Sequence, residues 1–265
     1  MSHDVSWDKF QNNLRTERFG RQFFFSNEVD STNDWAKRLA DEGAEEGTVA
    51  VGLTQTAGRG RLDREWVSPK GGLWFSIILR PSRCSSEAAQ LVFIASLAVA
   101  ETLHEECGLE AETKWPNDVL VEGKKICGIL AQTKSSGERV EYVILGVGLN
   151  VNFNVKDVFP ETIWKNATSI ETELNRHVSL QDLLRSLLER IEKLYDEYLG
   201  EGFAALLDKW KVYAKFLGHH VLVSDSEERL LGLALDVDCD GALLLKLENR
   251  AVRRVLCGDM VAKGS

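Results

Sequence analysis

Four stretches of this chain gather residue types suited to handling anions. TQTAGRGRLDREW, residues 54–66, sets Arg59, Arg61 and Arg64 beside Gly58 and Gly60. Guanidinium forks and bare backbone N–H groups both bind phosphate or carboxylate oxygens. Read alone, the stretch is either a loop that folds over an anionic ligand or a solvated surface loop. It is not a P-loop, because the G-x-x-x-x-G-K-[ST] spacing is absent. In KWPNDVLV, residues 114–121, Pro116 fixes a turn and biases Trp115 to an extended conformation. Asn117 and Asp118 then stand at the mouth of a strand, either as turn residues or as polar groups for a nucleotide and its Mg²⁺-bound phosphates. In GKKICGIL, residues 123–130, Lys125 enters an apolar stretch, where a lysine needs a partner. Gly128 inside that strand marks close approach by a ligand or another backbone. In GVGLNVN, residues 146–152, glycines thin a strand ahead of Asn150, alone a packing feature.

Hydrophobic periodicity supplies the elements that must position these groups. FFFSNEV (23–29), GTVAVGLTQ (47–55) and GLWFSIILR (72–80) read as strands. Between the first two, Ser31 and Asp34 form a variant capping box for a helix that Gly43 can end. Residues 85–107 read as a long, mostly buried helix stopped by Gly108. Residues 111–134 and 140–153 read as three strands, two of them joined by a hairpin at Glu122-Gly123. Residues 179–199 form an amphipathic helix capped by Ser179 and Asp182, and a shorter helix spans about 201–213. From Gly218 the helical period disappears. Short strands with a turn at Asp240-Gly241 predict a small all-β barrel of SH3 type.

Composition bounds the function. The chain has 265 residues, a net charge of −9, 44% hydrophobic and 28% charged residues. That suits one large domain, or a main domain with a small one attached, and excludes charge-driven nucleic-acid binding, which needs a basic face. The five cysteines, Cys84, Cys107, Cys127, Cys239 and Cys257, are scattered and odd in number, which fits a reducing cytoplasm. The polar N-terminus carries no apolar signal core, and LVFIASLAVA at 91–100 is too short to span a bilayer.

Taken in order, DSTND (30–34), TQTAGRGRLDREW, KWPNDV, KKICGIL and GVGLNVN resemble the biotin protein ligases, also called biotin–[acetyl-CoA-carboxylase] ligases, over about residues 23–260. The resemblance implies an α+β fold, a mixed sheet packed with helices as in class II synthetases and biotin–lipoate ligases, plus the small C-terminal SH3-like barrel. It divides the chain into a catalytic domain at 1–216 and a barrel at 217–265. It implies an enzyme that activates biotin with ATP and Mg²⁺ to biotinyl-5′-AMP, then transfers biotin to a lysine of a biotin carboxyl carrier protein. Lys125 would bridge the biotin carboxylate and the α-phosphate, with Arg59, Gly60 and Arg61 closing over them. Ser31, Thr32, Asn33 and Gln55 would hold the ureido end, with Gly128 in the same pocket. Trp66 would lie beside adenine, and Asn117, Asp118 and Asn150 around ATP. Asp118 is also a candidate base for the transfer step.

On this view residues 58 to about 70 stay mobile until biotinyl-5′-AMP orders them. Only about 20 residues precede the first strand, so a ligase without a DNA-binding domain is expected. A homodimer would follow common family practice. Gln132 departs from the family, which often has an acid there. The alternatives are a lipoate–protein ligase, against which the glycine-arginine loop and KWPND speak, and a non-catalytic biotin-sensing regulator, against which Lys125 speaks.

Overall fold

Short runs rich in apolar residues between Phe23 and Leu149 become the strands of one mixed sheet. A computed structural model describes residues 7–81, 89–137, 139–224 and 228–262. Strand β1 (Phe23–Val29) runs into α1 (Thr32–Asp41), whose N-cap Ser31 accepts from the Asp34 N–H. β2 (Val49–Gln55) returns parallel to β1, and β3 (Leu73–Leu79) is buried at every residue. The long helix is α2 (Gln90–Cys107), ended by Gly108 at φ 67°; residues 85–88 of the expected span lie outside the described residues.

The region read as three strands holds four. β4 (Ala111–Lys114) and β5 (Asp118–Val121) form a hairpin in which Lys114 faces Asp118, because the Trp115–Asn117 turn interrupts the ladder at a proline that has no N–H to give. β6 (Lys124–Ser136) and β7 (Arg139–Leu149) complete a sheet of order β1-β2-β3-β7-β6-β5-β4. The β5–β6 turn falls at Glu122 and Gly123, both at positive φ.

Three short helices follow: α3 (Val155–Val158), α4 (Glu161–Trp164) and α5 (Ile170–Leu174). In α6 (Leu180–Glu201), capped by the Ser179 hydroxyl, Leu184, Leu187, Leu188 and Ile191 are fully buried. α7 (Phe203–Tyr213) precedes the C-terminal strands β8 (His220–Ser224), β9 (Arg229–Val237), β10 (Leu243–Leu247), β11 (Val252–Val255) and β12 (Asp259–Ala262). These form an antiparallel sheet of order β11-β10-β9-β8-β12, the barrel-like unit expected after Gly218. Among the described residues no helix is long and apolar enough to cross a membrane.

The two sheets share one core. Phe93 and Trp115 belong to the same apolar cluster as Val237, Leu243 and Leu245. The Trp115 indole N–H donates to the Gly241 carbonyl at 3.0 Å, and the Gln90 amide donates to the Cys239 carbonyl at 3.1 Å. A chain ending at Leu217 would expose both aromatic rings. It is expected to lose roughly 4 kcal/mol of stability, read by urea unfolding followed by circular dichroism. Wild-type stability in that truncated chain would show that the shared core contributes nothing.

Candidate active site

Every residue that the resemblance assigns to the site lines one cleft of about 370 Å³: Ser31, Thr32, Asn33, Gln55, Arg59, Gly60, Arg61, Trp66, Asn117, Asp118, Lys125, Gly128 and Asn150. The cleft opens on the face of β6 and β7, between the start of α1, the loop after β2 and the α3–α4 segment.

One end is a closed polar circuit. The Thr32 backbone N–H donates to Gln55 Oε1 at 2.8 Å, and Gln55 Nε2 donates to the Ser68 hydroxyl at 2.7 Å. The Ser76 hydroxyl lies 2.8 Å from Thr32 Oγ1 and 2.7 Å from Asn33 Oδ1. Asn33 Nδ2 donates to Gln132 Oε1 at 3.0 Å, so the residue that departs from the family pattern fixes the amide of a cleft residue from behind it. Ser31 caps α1 and lines the cleft at once. Gly146 gives the Asn33 amide its room: a Cβ there would sit 1.9 Å from Asn33 Oδ1.

Next comes an aromatic floor. The Trp66 indole lies against Gly128 and Gly148, where added Cβ atoms would come within 3.0 and 2.5 Å of the ring. Lys125 Nζ stands 4.9 Å from the centre of that ring and 2.6 Å from Asp118 Oδ1. The partner that an ammonium in an apolar strand requires is therefore a carboxylate together with a π face. The Lys125 backbone is pinned as well: its N–H donates to the Asn166 carbonyl at 2.8 Å, and its carbonyl accepts from Thr168 at 2.9 Å. Asn150 Nδ2 donates to the Thr168 carbonyl at 2.9 Å. That leaves Asn150 Oδ1 and Trp66 Nε1 buried without a protein partner among the described residues.

The glycine-arginine loop has a defined path. The Trp66 N–H donates to the Gly58 carbonyl and the Gly60 N–H to the Arg64 carbonyl, at 2.9 and 2.7 Å. Leu62 and Asp63 both take positive φ, 55° and 54°, inside a short 3₁₀ turn. Each arginine has a partner. Arg59 Nε is 3.0 Å from Asp34 Oδ2, and Arg64 pairs with Asp259 of β12. Arg61 donates to Asn117 Oδ1 at 3.1 Å and to the Gly258 carbonyl at 3.3 Å. Asn117 is held in turn by its amide on the Ile129 carbonyl at 2.9 Å.

Contributors from three places carry no motif in the sequence. Ser76 was visible as the one polar residue in the apolar strand LWFSIIL, and it is fully buried. Thr162, Ile163 and Asn166 line the cleft from the α3–α4 segment, whose helices of four residues are too short to show a period. Asp259 enters from the far end of the chain, 195 residues from Arg64, and no local pattern marks it.

The glycine-arginine loop, the polar circuit and Lys125 share one cleft on a mixed sheet, the arrangement expected of a ligase, and comparison with known proteins shows the class. Residues 25–150 match the Biotin/lipoate A/B protein ligase family. The chain is 35% identical over 248 residues to the bifunctional ligase/repressor BirA of Bacillus subtilis, covering 93% of this chain and 76% of the relative. It is 35% identical over 223 residues to the biotin–[acetyl-CoA-carboxylase] ligase of Paracoccus denitrificans, covering 82% and 91%. The structure of the Aquifex aeolicus biotin protein ligase in complex with biotin and ATP superposes with a TM-score of 0.79 at 30% identity, over 92% of this chain and 100% of that one. The chain belongs to the biotin protein ligase family.

Cys127 lies two residues from Lys125 and is fully buried; burial pushes its thiol well above the usual range. It therefore stays protonated and unreactive. Iodoacetamide at pH about 8 is expected to alkylate the exposed Cys239 and Cys257 and to spare Cys127 until the protein unfolds, as read by peptide mass spectrometry. Rapid native labelling of Cys127 would show that the strand beneath Lys125 opens.

Proposed function

We propose that this cleft joins biotin to ATP and then passes biotin to a lysine of a biotin carboxyl carrier protein. What carries the reading is that the glycine-arginine loop, Lys125 and the polar circuit around Thr32 and Asn33 share one cleft in a chain of this family. Biotin is a neutral ureido ring at one end and a carboxylate at the other. Ser31, Thr32, Asn33 and Gln55 offer directed donors and acceptors for the ring. Arg59, Gly60, Arg61 and Lys125 face the carboxylate, and the absent side chain of Gly128 leaves space beside them. Trp66, Asn117, Asp118 and Asn150 take the nucleotide. Residues 1–216 form the catalytic unit in this reading, and residues 217–265 close it from the side of Asp259.

Adenylation brings one anion up to another. A biotin carboxylate oxygen attacks the α-phosphorus, the bond from that phosphorus to the pyrophosphate oxygen breaks, and pyrophosphate leaves. The Lys125 ammonium offsets the repulsion and the charge building on the α-phosphate. Asp118 fixes the direction of the ammonium, and the Trp66 ring limits its swing. In transfer, a neutral carrier amine attacks the acyl carbonyl, an amide forms and AMP leaves. Asp118 is the carboxylate beside Lys125 and the candidate acceptor for the amine proton.

Among the described residues no cluster of three or more His, Cys, Asp and Glu could hold a metal. The cleft offers the Asp118 carboxylate and the amide oxygens of Asn117 and Asn150, which suits Mg²⁺ carried in by the phosphates of ATP. Bound there, Mg²⁺ would neutralise phosphate charge.

Biotin-dependent exchange of labelled pyrophosphate into ATP tests the function. Exchange is expected with biotin and not with lipoate; the reverse would make this a lipoate ligase, and no exchange with either would make it a binding protein. Lys125→Ala is expected to lower kcat for exchange about 100-fold or more and to change biotin affinity by calorimetry much less. A variant exchanging at the wild-type rate removes Lys125 from the chemistry and points to Lys124.

A further inference from the structure

The first turn of α1 reaches two parts of the cleft. Thr32 and Asn33 enter the polar circuit with Gln55, Ser76 and Gln132. The next residue, Asp34, meets the glycine-arginine loop instead, with Oδ2 3.0 Å from Arg59 Nε. An acid in the first turn of a helix suits the positive end of the helix dipole. That accounts for a carboxylate at this position and not for its pairing with a loop arginine 25 residues further on.

The chemistry of the pair fits a tether. Arg59 Nε meets Asp34 Oδ2 as an ion pair, and neither Nη1 nor Nη2, which can grip a carboxylate or phosphate as a fork, hydrogen-bonds a described residue. The Arg59 side chain is 53% exposed and that of Asp34 23%, so water screens the pair. Such a pair biases a loop without locking it. Arg61 and Arg64 are held by the β4–β5 turn and by the C-terminal strands. Arg59 alone of the three is held by the helix that also forms the polar circuit.

We propose that Asp34 is a positioning residue for ligation, tethering Arg59 to the helical turn that receives the neutral head of the substrate. The proposal rests on the biotin reading of the cleft. With Arg59 already drawn to α1, the loop has less freedom to lose when a carboxylate arrives, and the gain falls on substrate affinity rather than on the chemical step.

Trypsin cleavage after Arg59, Arg61 and Arg64 in ligand-free protein reads the tether without any activity. Asp34→Asn is expected to speed cleavage about threefold or more, with Asp34→Glu near wild type. In pyrophosphate exchange, KM for biotin is expected to rise by a similar factor in Asp34→Asn, with kcat within about twofold. In an Arg59→Gln background, Asp34→Asn is expected to change KM less than about twofold, since the far end of the tether is gone. A purely helix-stabilising acid would instead lower Tm while leaving loop cleavage and the KM cycle unchanged. Equal cleavage of wild type and Asp34→Asn, or a KM effect undiminished in the Arg59→Gln background, overturns the tether. Wild-type protein that exchanges no pyrophosphate with biotin overturns the function reading instead, and the cleavage arm then decides on Asp34 alone.

Discussion

An indole lying flat on a sheet needs a strip of sheet without side chains, and the cleft is arranged around that requirement. Gly128 and Gly148 face each other across β6 and β7 and provide the strip. Trp66 fills it, and Lys125 lies over the outer face of the ring. A methyl group at either glycine would lift the ring, and with it the lysine that the ring and Asp118 share. Two positions earlier the spacing does a second job: Gly146, on the same face of β7, clears the space taken by the Asn33 amide. One period-two run of glycine thus sets the depth of both ends of the cleft. The same spacing explains why GVGLN looks like an ordinary packing feature when read alone.

An acidic chain can concentrate arginines in one loop because its own acids and carbonyls meet them. Asp34, Asn117, the Gly258 carbonyl and Asp259 come from α1, the β4–β5 turn and the C-terminal strands. These pairs are partly exposed, so each contributes little to stability. Their value lies in direction, since they hold three cations at the rim of one cleft in exchangeable contacts. On the proposed reading, a substrate carboxylate or phosphate would exchange with a partner that already meets the guanidinium.

Local signals made some elements legible and left others silent. β1, α1, β3 and α6 are legible because apolar runs, helical period and serine caps all act within a few residues. KWPND shows the limit of such signals: Pro116 marks the turn and Asp118 the strand after it, but Ala111–Lys114 carries no apolar run, so β4 before the turn is silent. The cleft residues were legible through motifs, whereas their partners were not. Glu192 illustrates the difference in the scaffold: a buried acid inside an amphipathic helix, it accepts the backbone N–H groups of Glu17, Arg18 and Phe19 at 2.7–3.0 Å. Nothing near it in sequence announces that role. Ser76 and Asp259 act in the cleft by the same long-range logic, visible only once the sheets are assembled.

The glycines of the loop carry a different lesson from the one their composition suggests. Gly58 reads as freedom to move, yet a Cβ there would lie 2.3 Å from the Trp66 carbonyl. The loop crosses itself at that point, with the Gly58 carbonyl accepting from Trp66, and only a residue without a side chain lets the two strands of the loop approach. Close approach and mobility are not rivals here. A crossing held by a few backbone hydrogen bonds, two partly exposed ion pairs and the Arg61 hydrogen bonds sits near the low end of local stability. Glycine defines the closed path, and the same glycine keeps opening cheap. A lid over a reactive mixed anhydride needs both: tight closure while water must be excluded, and release once the carrier amine has to enter.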